Sequence, residues 1–94
     1  EVAEIAVGDK VNIELNKYPT HSYGILPGRV ASISFIPYNK SYAVEVDFPE
    51  GLVTTSKKEI KYEIDMSGKA EIITSSRSIL SRIFAPIYEL FREK

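Results

Sequence analysis

His21, between Thr20 and Ser22, is the only imidazole in the 94-residue sequence. A site built on two histidines is therefore excluded, and the lack of cysteine excludes thiolate ligands and disulfides. Catalysis through His21 would need a pocket joining it to a carboxylate. Glu45 and Asp47 are the pair to weigh, because they alternate onto one side of a single segment. That spacing is also what the wet face of a half-buried strand shows, and nothing sets either residue apart. Ser75, Ser76 and Ser78 have no histidine near them in sequence and fit helix capping better than nucleophilic attack. Gly24 and Gly28 lead into a strand, not a helix N-terminus, so they form no phosphate cradle. These residues point to a protein without catalysis, metal or cofactor.

Charge excludes a second class. Twelve basic residues face thirteen acidic ones, a net charge of −1, and Lys57-Lys58 is answered at once by Glu59. Nucleic-acid binders need a basic excess to neutralise phosphates, so nucleic acid is not an expected partner. Six tyrosines and four phenylalanines could stack bases, but Tyr42 and Phe48 share a face with Val44 and Val46 and read as core. No apolar run reaches the roughly 18–20 residues of a membrane-spanning helix. With 44% hydrophobic and 27% charged residues, the chain suits one small globular domain, residues 1–94. It begins at Glu1 without Met or signal peptide, as a processed protein or an excised fragment would.

The elements that position these residues follow from periodicity. Val11, Ile13 and Leu15 alternate with Asn12 and Glu14, a period of two that predicts a strand over 10–15. Glu4–Ala6 could form a short strand ahead of it. Residues 16–28, punctuated by Pro19, Gly24, Pro27 and Gly28, read as a structured loop. Strands are expected at Arg29–Ile36 and Tyr42–Phe48, shorter ones at Leu52–Thr55 and Ile60–Ile64, and a last one at Lys69–Thr74 after a Ser67-Gly68 turn. The expected core includes Val11, Ile13, Val30, Val44, Val46 and Ile72. From Ser76 the spacing changes. Ile79, Leu80, Ile83, Phe84, Ile87, Tyr88 and Phe91 recur every three or four residues and predict an amphipathic helix over 76–91, kinked or ended at Pro86. The fold class is mainly β: a small antiparallel β-barrel with a C-terminal amphipathic helix. That helix either caps the barrel's open end or offers its seven apolar residues as a docking surface, with Arg77, Arg82 and Arg92 on its polar side.

The run VGDKVNIELNKYPTHSYGILPGRVASIS resembles the barrel segment of HlyD-type periplasmic adaptors, the membrane fusion proteins. The matching positions are Val7, Gly8, Val11, Pro19, Tyr23, Gly24, Gly28, Val30, Ile33 and Ser34. MSGKAEIITSSRSILSRIFAPI is similar to that family's closing strand and tail through Met66, Gly68, Ala70, Ile72, Thr74, Leu80 and Pro86. Many relatives carry Pro-Gly-Met where this chain has Asp65-Met66-Ser67-Gly68, a departure that bears on the turn. The resemblance implies a non-enzymatic C-terminal barrel of a longer periplasmic protein, complete or short of one strand supplied from an N-terminal portion. That protein would be anchored in the inner membrane by a helix absent here and would carry a lipoyl-like domain and a long helical hairpin. It would self-associate as a ring, with an inner-membrane transporter and an outer-membrane channel as partners in secretion or efflux. The rival reading is a free-standing SH3-like barrel with an exposed aromatic groove for a peptide or small ligand.

Overall fold

The alternating row Val11, Ile13, Leu15 forms β1, Lys10–Leu15, with those three side chains buried and Lys10 and Glu14 exposed. The computed structural model describes residues 5–37, 41–61, 66–84 and 88–92. After β1 come a single helical turn, α1 (Thr20–Tyr23), then β2 (Leu26–Ile36), β3 (Ser41–Asp47), β4 (Ser67–Ile73), β5 (Ser78–Phe84) and β6 (Tyr88–Arg92). All ladders are antiparallel, and the strands form a ring in the order β1-β2-β3-β6-β5-β4. The ring is thin on one side. β5 and β6 share only the rungs Ile83–Glu89 and Phe84–Tyr88. Beyond them, among the described residues, Ser78–Arg82 pairs with β4 alone and Leu90–Arg92 with β3 alone, so the wall is split along this seam.

β1, β3 and β4 send alternate residues inward. Val11, Ile13, Val30, Val44 and Ile72 are the largest wholly buried side chains, and Val46 is buried beside them, as the period-two pattern predicts. At 1.5–3 kcal/mol for each large apolar side chain, roughly, this row dominates the stabilisation. In β2, Val30 and Ile33 lie three apart yet both reach the core, because Ala31 is an extra residue. Val30 pairs with Val46 and Ser32 with Glu45, a β-bulge that shifts the alternation by one. β2 also starts before the expected Arg29. Pro27 is tolerated because β2 has only β1 as neighbour there, its pairing with β3 beginning at Arg29.

The C-terminal segment is not a helix: residues 78–84 and 88–92 are β5 and β6. The rows 79, 83, 87, 91 and 80, 84, 88 each step by four. A step of four is also two strand periods, so this spacing fits a strand as well as a helix. Ile, Phe and Tyr favour the strand. Ser75 and Ser76 cap no helix among the described residues; they sit in the β4–β5 turn. There the buried Thr74 hydroxyl donates to Arg77 O at 2.8 Å and accepts from the amides of Ser76 (3.3 Å) and Arg77 (3.1 Å). The kink expected at Pro86 falls outside the described residues, as does Ile87.

Smaller differences have local causes. Ile5 and Ala6 form no strand; Ala6 N donates to Asp9 Oδ2 in a turn, and Glu4 lies outside the described residues. The two short strands expected around Lys57-Lys58-Glu59 reduce to a bridge between Val53 and Glu59, with Tyr62–Ile64 outside the described residues. Thr54, 4% exposed, organises that loop by accepting the amides of Ser56 and Lys58, both at 3.2 Å. Ser67-Gly68 makes no turn but opens β4. A Cβ on Gly68 would collide with Glu14 O and lie 2.9 Å from Leu15 Cα. This glycine is needed for the close approach of two backbones. The SH3-like reading also fails on topology: β6 lies between β3 and β5, and β4 returns to β1.

Candidate functional site

His21 lies exposed on α1, and no hydrogen bond joins it to a carboxylate among the described residues. Glu45 accepts a 3.0 Å hydrogen bond from Ser32 Oγ on the outer wall, and Asp47 stands opposite Arg29. Among the described residues no group of three or more His, Asp or Glu side chains could hold a metal. The polar groups capable of chemistry are thus dispersed over the outer wall and one rim.

That rim is closed by the two long connections. Thr55 N donates to Ile25 O at 2.8 Å and Ile25 N to Thr55 Oγ1 at 3.0 Å, tying the 48–61 segment to the end of α1. Gly24, at φ +85°, leaves room for this contact: a Cβ there would stand 2.7 Å from Thr55 Oγ1. Tyr18 and Tyr23 pack edge to face at 5.0 Å between ring centres, with Lys58 Nζ 5.8 Å from the Tyr23 ring. Both tyrosines and Phe48 pack against the core, so they offer no exposed aromatic groove of the SH3 kind.

Exposed apolar side chains, Ile73 and Leu80, stand on the outer wall of β4–β5 beside the seam. Of the seven residues expected to form a docking face, Ile79 packs partly buried on the core while Leu80, its neighbour, is 76% exposed. Ile83 and Phe84 hold the shared rungs of β5, and Tyr88 and Phe91 lie on β6 opposite Glu45 and Tyr42. The helix would have gathered all seven on one stripe; instead Ile79, Leu80, Ile83 and Phe84 lie on β5 and Tyr88 and Phe91 on β6, with Ile87 outside the described residues. Leu80 stands opposite Glu71, and exposed Ile73 is two residues further along β4. Across a sheet this diagonal is about 7–8 Å, close enough for one apolar contact. Charged Lys69, Glu71 and Arg82 flank it. Ile73 was not expected here. Its signal is the doublet Ile72-Ile73, since two neighbours in a strand cannot both face inward.

No family model matches the chain, and no solved structure matches it. Curated relatives do. It is 28% identical over 98 residues to "Hemolysin secretion protein D, plasmid" of Escherichia coli, covering 99% of this chain and 20% of that protein. It is 28% identical over 94 residues to "Leukotoxin export protein LtxD" of Aggregatibacter actinomycetemcomitans, covering 95% of the chain and 20% of the relative. With "Leukotoxin secretion protein D" of Mannheimia haemolytica it shares 26% over 102 residues, covering 99% and 21%. The chain is similar over nearly all its length to a segment about one fifth as long as each of these secretion and export proteins.

Proposed function

We propose that this barrel is the C-terminal, non-enzymatic domain of an HlyD-type periplasmic adaptor that helps link an inner-membrane transporter to an outer-membrane channel. The observation that carries the reading is similarity along 95–99% of the chain to proteins named for toxin secretion or export. The antiparallel barrel and the dispersed polar groups fit a scaffold role. In this reading the protein is anchored elsewhere in its sequence and works as part of a ring. The exposed face of β5 around Leu80 is, in this reading, the side that meets a neighbour. An exposed leucine beside a half-open strand edge suits strand addition or apolar contact.

A segment exchange tests it. The matched segment of the E. coli hemolysin secretion protein D is replaced by these 94 residues, and hemolysin export is measured against chimera abundance. Export that persists, and falls when Leu80→Arg is added at unchanged abundance, is the expected result. A chimera that accumulates normally and exports nothing counts against the reading.

A further inference from the structure

On the wall across the ring from the seam, Lys10 of β1 stands directly opposite Arg29 of β2, and both are exposed. Val30 N donates to Asp9 O at 2.9 Å, so ladder alternation makes Lys10–Arg29 the next, non-hydrogen-bonded rung. Side chains of such rungs lie closer together, and like charges there are unfavourable. The protein offers little compensation. Arg29 Nη1 donates to Gly8 O at 3.1 Å, and the Lys10 side chain makes no ion pair or hydrogen bond among the described residues. Asp47 pairs with Arg29 in register without an ion pair joining them.

The two cations line a cleft of about 220 Å³ whose other walls are Pro27, Gly28, Pro49 and Glu50. Its far side is a firm turn: Gly51, at φ +82°, donates its amide to Phe48 O at 2.8 Å. Pro27 and Pro49 add rigid apolar flanks that carry no amide hydrogen. A preformed cleft loses little freedom on binding. We propose that this cleft binds a carboxylate side chain borne on an extended peptide segment of a partner protein. Lys10 and Arg29 hold the carboxylate, whose planar oxygens match the guanidinium fork. Glu50 accepts from an amide N–H of the same peptide. A dianion such as phosphate meets Glu50 as a like charge and lacks that N–H. The proposal rests on this wall alone and stands whether or not the adaptor reading does.

The test uses the ¹⁵N-labelled 94-residue chain, titrated at constant ionic strength with N-acetyl-aspartate methylamide, its asparagine counterpart, and inorganic phosphate. The expected result is saturable shifts in the amides of Lys10, Gly28, Arg29, Glu50 and Gly51 with the aspartate probe. Affinity for the asparagine probe should be about tenfold weaker, the loss of one charge-assisted contact. Lys10→Gln with Arg29→Gln should abolish saturation, and Lys10→Gln alone should weaken it in a chain whose other amides are unmoved. Glu50→Gln should shift preference towards phosphate. No saturation with aspartate, equal binding of asparagine or phosphate, or undiminished binding by the double variant would each overturn the proposal.

Discussion

Single residues show how a type visible in the sequence takes its meaning from a distant partner. Gly68 reads as half of a turn, yet its need for no Cβ comes from Glu14 and Leu15 across the β1–β4 ladder. Nothing local announces that pairing, because the two strands are separated by most of the chain. Gly68→Ala should cost at least about 1–3 kcal/mol, the usual penalty of forced overpacking. Urea denaturation measures it, and an unchanged midpoint would mean the backbones can part freely. The Lys10–Arg29 rung makes the opposite prediction. Lys10→Glu turns a like-charge rung into an attractive one and should add about 0.2–1 kcal/mol, an effect that shrinks with salt. A destabilised, salt-insensitive variant would show that the two side chains do not interact.

Among the elements, β1 was legible to the residue because its alternation is strict and one face alone is apolar. β3 was legible for the same reason, to within a residue at each end. The C-terminal segment was not, since apolar residues four apart satisfy helix and strand alike and Ser75-Ser76 imitate a cap. What decides between them is Thr74. Its buried hydroxyl closes the turn back to Arg77 and brings β5 antiparallel to β4 from Ser78 onwards. Thr74→Val keeps the shape and removes the hydroxyl that bonds Arg77 O and the amides of Ser76 and Arg77. The expected loss is about 1–3 kcal/mol of stability, read by thermal or urea unfolding. Thr74→Ser, which keeps the hydroxyl, should recover most of it. The candidate docking residues were legible as apolar and as a group. That Ile79 packs on the core while Leu80 faces outward was not, because it depends on the element chosen.

At the scale of the whole barrel, the ladders are unequal, and this sets how the molecule should open. β1, β2, β3 and β4 carry the buried residues that define the core: Val11, Ile13, Leu15, Leu26, Val30, Val44, Val46, Ala70 and Ile72. β6 is held by its pairing with β3 and by two rungs with β5. Local openings involve the units with fewest stabilising contacts, while core strands exchange only through global unfolding. Amide hydrogen exchange should therefore divide the ring in three. Amides of Val11, Ile13, Val44 and Ile72 should exchange slowest. Leu90–Arg92 should exchange much faster, since losing those rungs exposes little of the described core. Between them, Ser78–Arg82 should alternate, protected where an amide faces β4 and fast where it faces the seam. A helix over 76–91 would protect successive amides without alternation, so the same experiment discriminates the two elements. Uniform protection through 78–82, or β6 as slow as β1, would mean the wall is not split. If the alternation is found, the seam is a free strand edge next to exposed Leu80, and a partner strand added there would convert the fast amides to slow ones. That conversion, read on the complete protein with and without its partners, tests whether the split side of the barrel is the side that docks.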